Sequence, residues 1–408
     1  MSPAKSELDL GGCPVNHTDY RLDAAAGDHF VLIDADREAA RVCWNDSTEH
    51  GFWMLNRYDD VLEACQTPET FSNGQINAFD PTLPPRAILP NQLDQPEHVK
   101  LRKILNPFFS PAAVQRILPK AQERATALVL QTKPAGRCEF VTDFAIQYPT
   151  ELFLELMGLP IEDGADFIVW NEAIFRGFFD TSPEAKREND AALSSILAYF
   201  EQRVQERSQD LRDPELDIIS RLLRAEIDGV PIPRAEVLNI CFTLNLAGLD
   251  TTRSGLGYVH HFLATHPDVR AQLVAEPDRW PKAIEEFIRM SGLIIASGRV
   301  VTQDVDFHGA PMKAGDAVWM GFAGAGRDPR KFDHPTEYDM DRPNLNQHFG
   351  FGAGPHRCIG MHLARAEMAI ALRTWHENIP DYWIDTDDPI MERGGQLSLK
   401  RLPLAWTP

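Results

Sequence analysis

The chain has 408 residues, a formal net charge of −20 at pH 7, 43% hydrophobic and 25% charged residues. That is the composition of a folded globular protein with enough core to enclose a cofactor, which excludes the disordered and fibrous classes. The acidic balance, with no basic run, argues against a nucleic-acid surface, because neutralising phosphates needs a concentrated Lys/Arg face.

Six scattered cysteines with no C-x-x-C pair point to reduced thiols and a cytoplasmic protein. The N-terminal residues carry no apolar signal-peptide region, and no stretch has the length and apolarity of a membrane span. Residues 1–25 read as a polar, poorly ordered lead-in, and 26–408 as one domain, since no linker or repeat divides them. Phe52 to Leu55 alternates as a short strand, and a helical pattern begins at Tyr58. Residues 70–92, rich in proline, form a long loop, a type of segment that is often functional. From Pro96 the pattern turns helical and stays so through about residue 225. The longest helix is predicted from Arg234 to about Thr265, ended by His266-Pro267, because a residue before proline resists the helical conformation. A further helix covers Pro281 to Met290, β-like pieces follow at 298–309 and 317–324, and a last helix starts near Cys358 and runs through Arg373. The fold class is mainly α with a minor β component.

The densest chemical signal is HFGFGAGPHRCIGMHLARAEM, from His348 to Met368. Gly350, Gly352 and Gly354 permit tight backbone and close approach to a flat ligand. A cysteine opening a helix has its thiolate favoured by the helix dipole, and His356 and Arg357 add positive charge. Such a thiolate suits the axial position of heme iron. Three other readings stand beside it. The glycines could cradle phosphate, but they lack the strand–glycine–helix and Gly-Lys-Ser/Thr patterns. His356, Cys358 and His362 could hold zinc, but have no fourth partner at fixed spacing. Cys358 could also be a buried structural thiol.

The stretch resembles the heme-binding signature of the cytochrome P-450 family, F-x-x-G-x-x-x-C-x-G, matched by Phe351, Gly354, Cys358 and Gly360. Three further matches follow in the expected order. LAGLDTT is similar to the family's oxygen-activation motif, with Ala247, Gly248, Asp250 and Thr251 in the characteristic places. The small pair lets a flat ligand approach the helix, and a carboxylate beside a hydroxyl can relay protons into a water-poor pocket. EEFIRM places Glu286 and Arg289 three apart, which resembles the family's E-x-x-R pair, and Arg342 in YDMDRP fits the arginine that joins it, a structural role. His98 and Arg102 share a helix face and, with Arg299 and His356, fit the partners of the heme propionates by resemblance. The likeness spans about Asn45 to Leu402 and is closest to soluble bacterial members, including the camphor-hydroxylating group. Two departures are Gly326, where many relatives have Asn, and Ser297 near Arg299, where an acid is often found.

The resemblance implies a cytochrome P-450 fold with its long helix over heme b. It implies a monooxygenase in which Cys358 ligates iron and Asp250 and Thr251 deliver protons. Thr243, Leu246, Ala247, Ile294, Ile295, Phe178, Phe179 and Trp170 would line an apolar pocket for a small hydrophobic substrate, a terpenoid or alkyl aromatic. Arg86 is the one candidate for anchoring a substrate carboxylate. With no flavin or iron–sulfur segment in the chain, electrons would come from a ferredoxin or flavodoxin and its NAD(P)H-dependent reductase. That donor would dock at a basic patch of Lys100, Lys103 and Arg365. The other readings are a heme sensor, and a peroxygenase- or isomerase-type heme enzyme. Against both stands the Asp250–Thr251 pair, which those functions do not need.

Overall fold

The computed structural model describes residues 9–80, 83–180 and 182–407. Among them helices dominate. The first six are α1 (Asp28–Ala39), α2 (Tyr58–Gln66), α3 (Glu97–Leu105), α4 (Pro111–Thr132), α5 (Gln147–Met157) and α6 (Gly164–Phe179). After these come α7 (Pro183–Gln209), α8 (Ile218–Arg224), α9 (Arg234–Thr265) and α10 (Pro267–Ala275). The last three are α11 (Trp280–Ser291), α12 (Phe322–Gly326) and α13 (Met361–Asn378). No helix of the described residues is long and apolar enough to cross a membrane.

Local chemistry sets several boundaries. Ser110 and Ser182 cap α4 and α7 by accepting the N–H groups of Ala113 and Ala185, each 3.2 Å away, with proline at the next position. Gly292 ends α11 in the left-handed region at φ 44°. The long helix runs over the predicted span, Arg234–Thr265, and His266-Pro267 stops it. At 32 residues it is about 48 Å long.

The β component is small. A six-stranded mixed sheet runs in the order 15–16, 42–45, 52–55, 317–320, 297–301 and 71–72. Its centre pairs Val318 with Trp53 on one side and with Arg299 on the other, which fixes where Arg299 stands. The piece expected to be β-like at 317–324 is a strand only to Met320; from Phe322 it turns into the short helix α12, because its alternating Gly and Ala supply no β-branched side chains to a sheet. The last helix begins at Met361, three residues beyond Cys358.

The lead-in also differs from expectation within its described part. Val15–Asn16 pairs with Trp44–Asn45, and Ala24–Ala25 pairs with Met391–Glu392. Tyr20 is fully buried and donates its hydroxyl to Asp36. Apolar burial and backbone pairing therefore order a segment whose polarity hid both. Residues 1–8 lie outside the described part.

α9 passes through the interior. Between Ile240 and His260 every residue is buried except Ala247, Gly248 and Thr251. α5, α7, α11 and α13 pack around it. One face of α11 is anchored by charge. Glu286 and Arg289 are both wholly inaccessible, and two guanidinium N–H groups of Arg289 donate to the carboxylate at 2.7 Å. Arg342 Nε donates to Glu286 Oε1 at 3.0 Å, and the Asp339 N–H to the same oxygen at 3.1 Å. The remaining donors reach carbonyls. Arg289 reaches Gly326, while Arg342 reaches Asp333, His334 and Glu337.

Glu286→Gln keeps the shape of this site but leaves two buried guanidinium groups unbalanced. The expected cost is about 3–5 kcal/mol in denaturant unfolding. A change below about 1 kcal/mol, the worth of a surface pair, would contradict a buried network.

Candidate heme-thiolate site

The segment before α13 is a tight loop closed by its own backbone. The Gly352 N–H donates to Phe349 at 2.7 Å, the Cys358 N–H to Phe351 at 2.9 Å, and the Arg357 N–H to Gly354 at 3.2 Å. Gly352 and Gly354 sit at φ 65° and 66°, where a side chain would be strained. Space is also lacking: a Cβ at Gly354 would lie 2.2 Å from the Cys65 carbonyl oxygen, and one at Gly350 2.2 Å from Ile288 Cγ2. The loop therefore seats against α2 and α11 only because these positions carry no side chain.

Cys358 does not open the helix, as expected from sequence, but ends the loop that leads into it. It is accessible and lies within reach of the charges of Arg102, Arg357 and Arg365. Burial pushes its thiol up, while the Gly360 N–H and the charges of Arg102, Arg365 and Arg357 pull it down. Phe351 lies beneath the Arg365 guanidinium, 4.4 Å from its ring centre. The zinc alternative fails, because no three His, Cys, Asp or Glu side chains among the described residues come together to hold a metal.

Four cationic or titratable groups converge near this loop. His98 and His356 stack with ring centres 3.9 Å apart. Both ring nitrogens of His98 are buried and find no partner among the described residues. Burial and the charge of Arg102 push His98 down to about 4. Burial, His98, Arg299 and Arg102 push His356 down to about 2. Arg299 is buried, and its Nη1 donates to Ser297 at 2.8 Å and to the Gly298 carbonyl. The acid acting on His98 and Arg299 is Asp94, whose carboxylate already accepts from Ser72 and from the Asn73 N–H. Such a cluster is short of negative charge. The two carboxylates of a heme would supply it, so the donor set fits the group. Arg102 also donates to the Arg357 carbonyl at 3.0 Å, tying α3 to the loop.

On α9, Ala247, Gly248 and Thr251 form the single accessible face of an otherwise buried stretch. Thr251 Oγ1 donates back to the Ala247 carbonyl at 2.9 Å. Asp250 turns elsewhere and is buried: Gln396 Nε2 donates to Oδ2 at 2.7 Å, and Arg393 Nη2 to both oxygens at 3.2 and 3.3 Å. Those two partners are 143 and 146 residues away, and no motif in the sequence marks them. Glu285 is the other residue that sequence reasoning passed over. It holds Arg365 and His348 against α11, and although burial opposes the charge, these partners bring its carboxyl down to about 2. Only its place beside Glu286 could have pointed to it.

The expected pocket residues separate into two groups. Ile294 is a large side chain left 40% exposed, and Phe178 and Phe179 are half-buried. By contrast, Ile295 is 2% exposed in the main core, and Trp170 packs on Phe167 and Tyr199 between α6 and α7. Thr243 and Leu246 are buried, and Thr243 spends its hydroxyl on the Asn239 carbonyl. Arg86 is neutralised by Glu97 and Glu236.

The family profile described as "Cytochrome P450" matches residues 171–378. A "Probable cytochrome P450 127A1" of Sinorhizobium fredii is 32% identical, over 89% of this chain and 85% of its own length. A "Methyl-branched lipid omega-hydroxylase" of Mycobacterium bovis is 31% identical over 88% and 85%. A "Steroid C26-monooxygenase" of Rhodococcus jostii is 30% identical over 89% and 78%. Among solved structures, the crystal structure of CYP101J2 superposes with a TM-score of 0.88 at 28% identity, covering all of both chains. Fold, loop and relatives agree: the chain belongs to the cytochrome P450 family of heme-dependent monooxygenases.

Proposed function

We propose that this monooxygenase hydroxylates a small, neutral hydrophobic substrate, a terpenoid or alkyl aromatic, drawing its electrons from a separate ferredoxin. The observation that carries the reading is the pairing of the glycine-seated Cys358 with the accessible Ala247–Gly248–Thr251 face of a buried helix. Cys358 would ligate the iron, His98, Arg102, Arg299 and His356 would hold the propionates, and Phe351, Gly354 and Gly360 would shape the thiolate loop. When bound, the heme supplies the activation of dioxygen. The chain's own residues do the rest: Thr251 presents its hydroxyl from the accessible face, and Asp250 stores a proton one residue away. Ile294, Phe178 and Phe179 offer apolar surface, and no cation is left free at Arg86 for a carboxylate, which favours a neutral substrate. The six cysteines are all free, in keeping with a reducing cytoplasm, and residues 26–408 are taken as one catalytic unit.

For the electron donor the basic patch needs redrawing. Lys100 pairs with Asp228, and Arg365 with Glu285. Lys103 and Arg357 are exposed and form no ion pair with any described residue, and Arg102 links their two segments. They are the groups best placed to meet an acidic ferredoxin.

The reduced, CO-bound holoprotein tests the central assignment: it should show the strongly red-shifted Soret band of a thiolate ligand, and Cys358→His should abolish it. A histidine-type band in the native protein would overturn the site. Thr251→Ala should keep oxygen consumption while several-fold less of it appears as product; unchanged coupling would remove Thr251 from proton delivery. Lys103→Glu with Arg357→Glu should slow reduction by a ferredoxin at low salt and flatten the salt dependence, and native kinetics would reject this docking face.

A further inference from the structure

Asp250 is held by a part of the chain that the family motif does not include. Arg393 is the last residue of the strand Met391–Arg393, and Gln396 lies in the turn that follows it. The turn is fixed on two sides. Gly395, at φ 78°, donates its N–H to the Tyr20 carbonyl at 2.6 Å, and a Cβ there would strike the Phe179 ring at 2.3 Å. A Cβ at Gly394 would lie 2.4 Å from the Leu22 carbonyl oxygen. Arg393 itself rests over the ring of Phe175, 5.6 Å from its centre. The turn thus cannot shift without moving the end of α6 or the N-terminal segment.

The groups around the carboxylate come from three elements. From its own helix, Arg253 approaches Oδ1 at 3.4 Å and is itself tied to Glu172 of α6. From the strand end and its turn come Arg393 and Gln396. On the third side lies a small hollow between α5, α6 and α9, lined in part by Thr150, Asn171, Glu172 and Phe175. Burial raises the carboxyl of Asp250, and Arg393 and Gln396 oppose that rise. A proton store must be oriented and must rest in one charge state, and an isolated buried carboxyl would do neither.

We propose that the segment Arg393–Gln396, a strand end and the turn after it, is a clamp that sets the orientation and charge of the Asp250 carboxylate for proton delivery, which makes Arg393 and Gln396 positioning residues. The clamp rests on the reading of Asp250 as the proton store beside Thr251. Its work involves protons alone: Asp250 takes one from water and passes one on, with no change of oxidation state in the clamp.

The test uses holoprotein of Arg393→Met, Arg393→Lys, Gln396→Leu and Asp250→Asn. The infrared band of a protonated carboxyl that is lost in Asp250→Asn identifies the group. In Arg393→Met that band should titrate about 1–3 pH units higher than in the native protein. The fraction of oxygen recovered as product should fall several-fold, and Arg393→Lys should restore both. Gln396→Leu, which leaves the ion pair in place, should move both in the same direction by less, and it carries the test if Arg393→Met does not fold. If Asp250→Asn uncouples the enzyme while Arg393→Met and Gln396→Leu keep the native titration and coupling, the clamp is overturned. Native coupling in Asp250→Asn would instead overturn the proton-store reading beneath it.

Discussion

Two neighbouring glutamates on α11 hold this molecule's site in place. Glu286 faces inward and neutralises two buried arginines, Arg289 on its own helix and Arg342 from the YDMDRP stretch. Glu285 faces the other way and secures Arg365 of α13 and His348 at the start of the thiolate loop. One turn of helix thus fastens the loop's two ends to the core. Buried pairs of this kind are weak evidence for net stability, since desolvation offsets their attraction. They do make departures from one arrangement costly, and a ligand loop requires that.

The rest of the site follows from the same trade between space and charge. Glycines let the loop lie directly on the Cys65 carbonyl and on Ile288, so its position is set by backbone contact rather than by adaptable side chains. The cluster of His98, Arg102, Arg299 and His356 works in the opposite sense: each member disfavours positive charge on its neighbours, His98 and Arg299 are buried, and no acid is spare. A site rigid on one side and short of negative charge on the other selects a flat ligand with anionic edges. Loss of that ligand would leave the four groups uncompensated, so the cofactor contributes to folding stability as well as to chemistry.

Much of this was legible in the chain itself, for physical reasons. Helical periodicity and the His266-Pro267 stop located α9, and the spacing within EEFIRM placed Glu286 and Arg289 on one face. The Gly-rich run before Cys358 was legible because steric need for glycine leaves a visible trace. Polarity misled at the N-terminus, where two short strands and Tyr20 are ordered by partners far along the chain. The assignment of Lys100 and Arg365 to a basic patch failed similarly, because sequence shows charges but not the acids that fold against them. Ile294 and Ile295 are adjacent and chemically alike, yet one is accessible and the other is core. Only the backbone direction after Gly292 decides between them.

The pairing of Ala24–Ala25 with Met391–Glu392 bears on how the chain is made. Its two strands are separated by more than 360 residues, so during synthesis the first must wait unpaired until all of the intervening chain has been made. The same late strand leads directly into the turn that grips Asp250. The thiolate loop therefore leaves the ribosome before the residues that hold Asp250, and closure of this late ladder sets the turn in place. The grip on Asp250 is thus a product of long-range pairing and comes later than the helix that carries the acid.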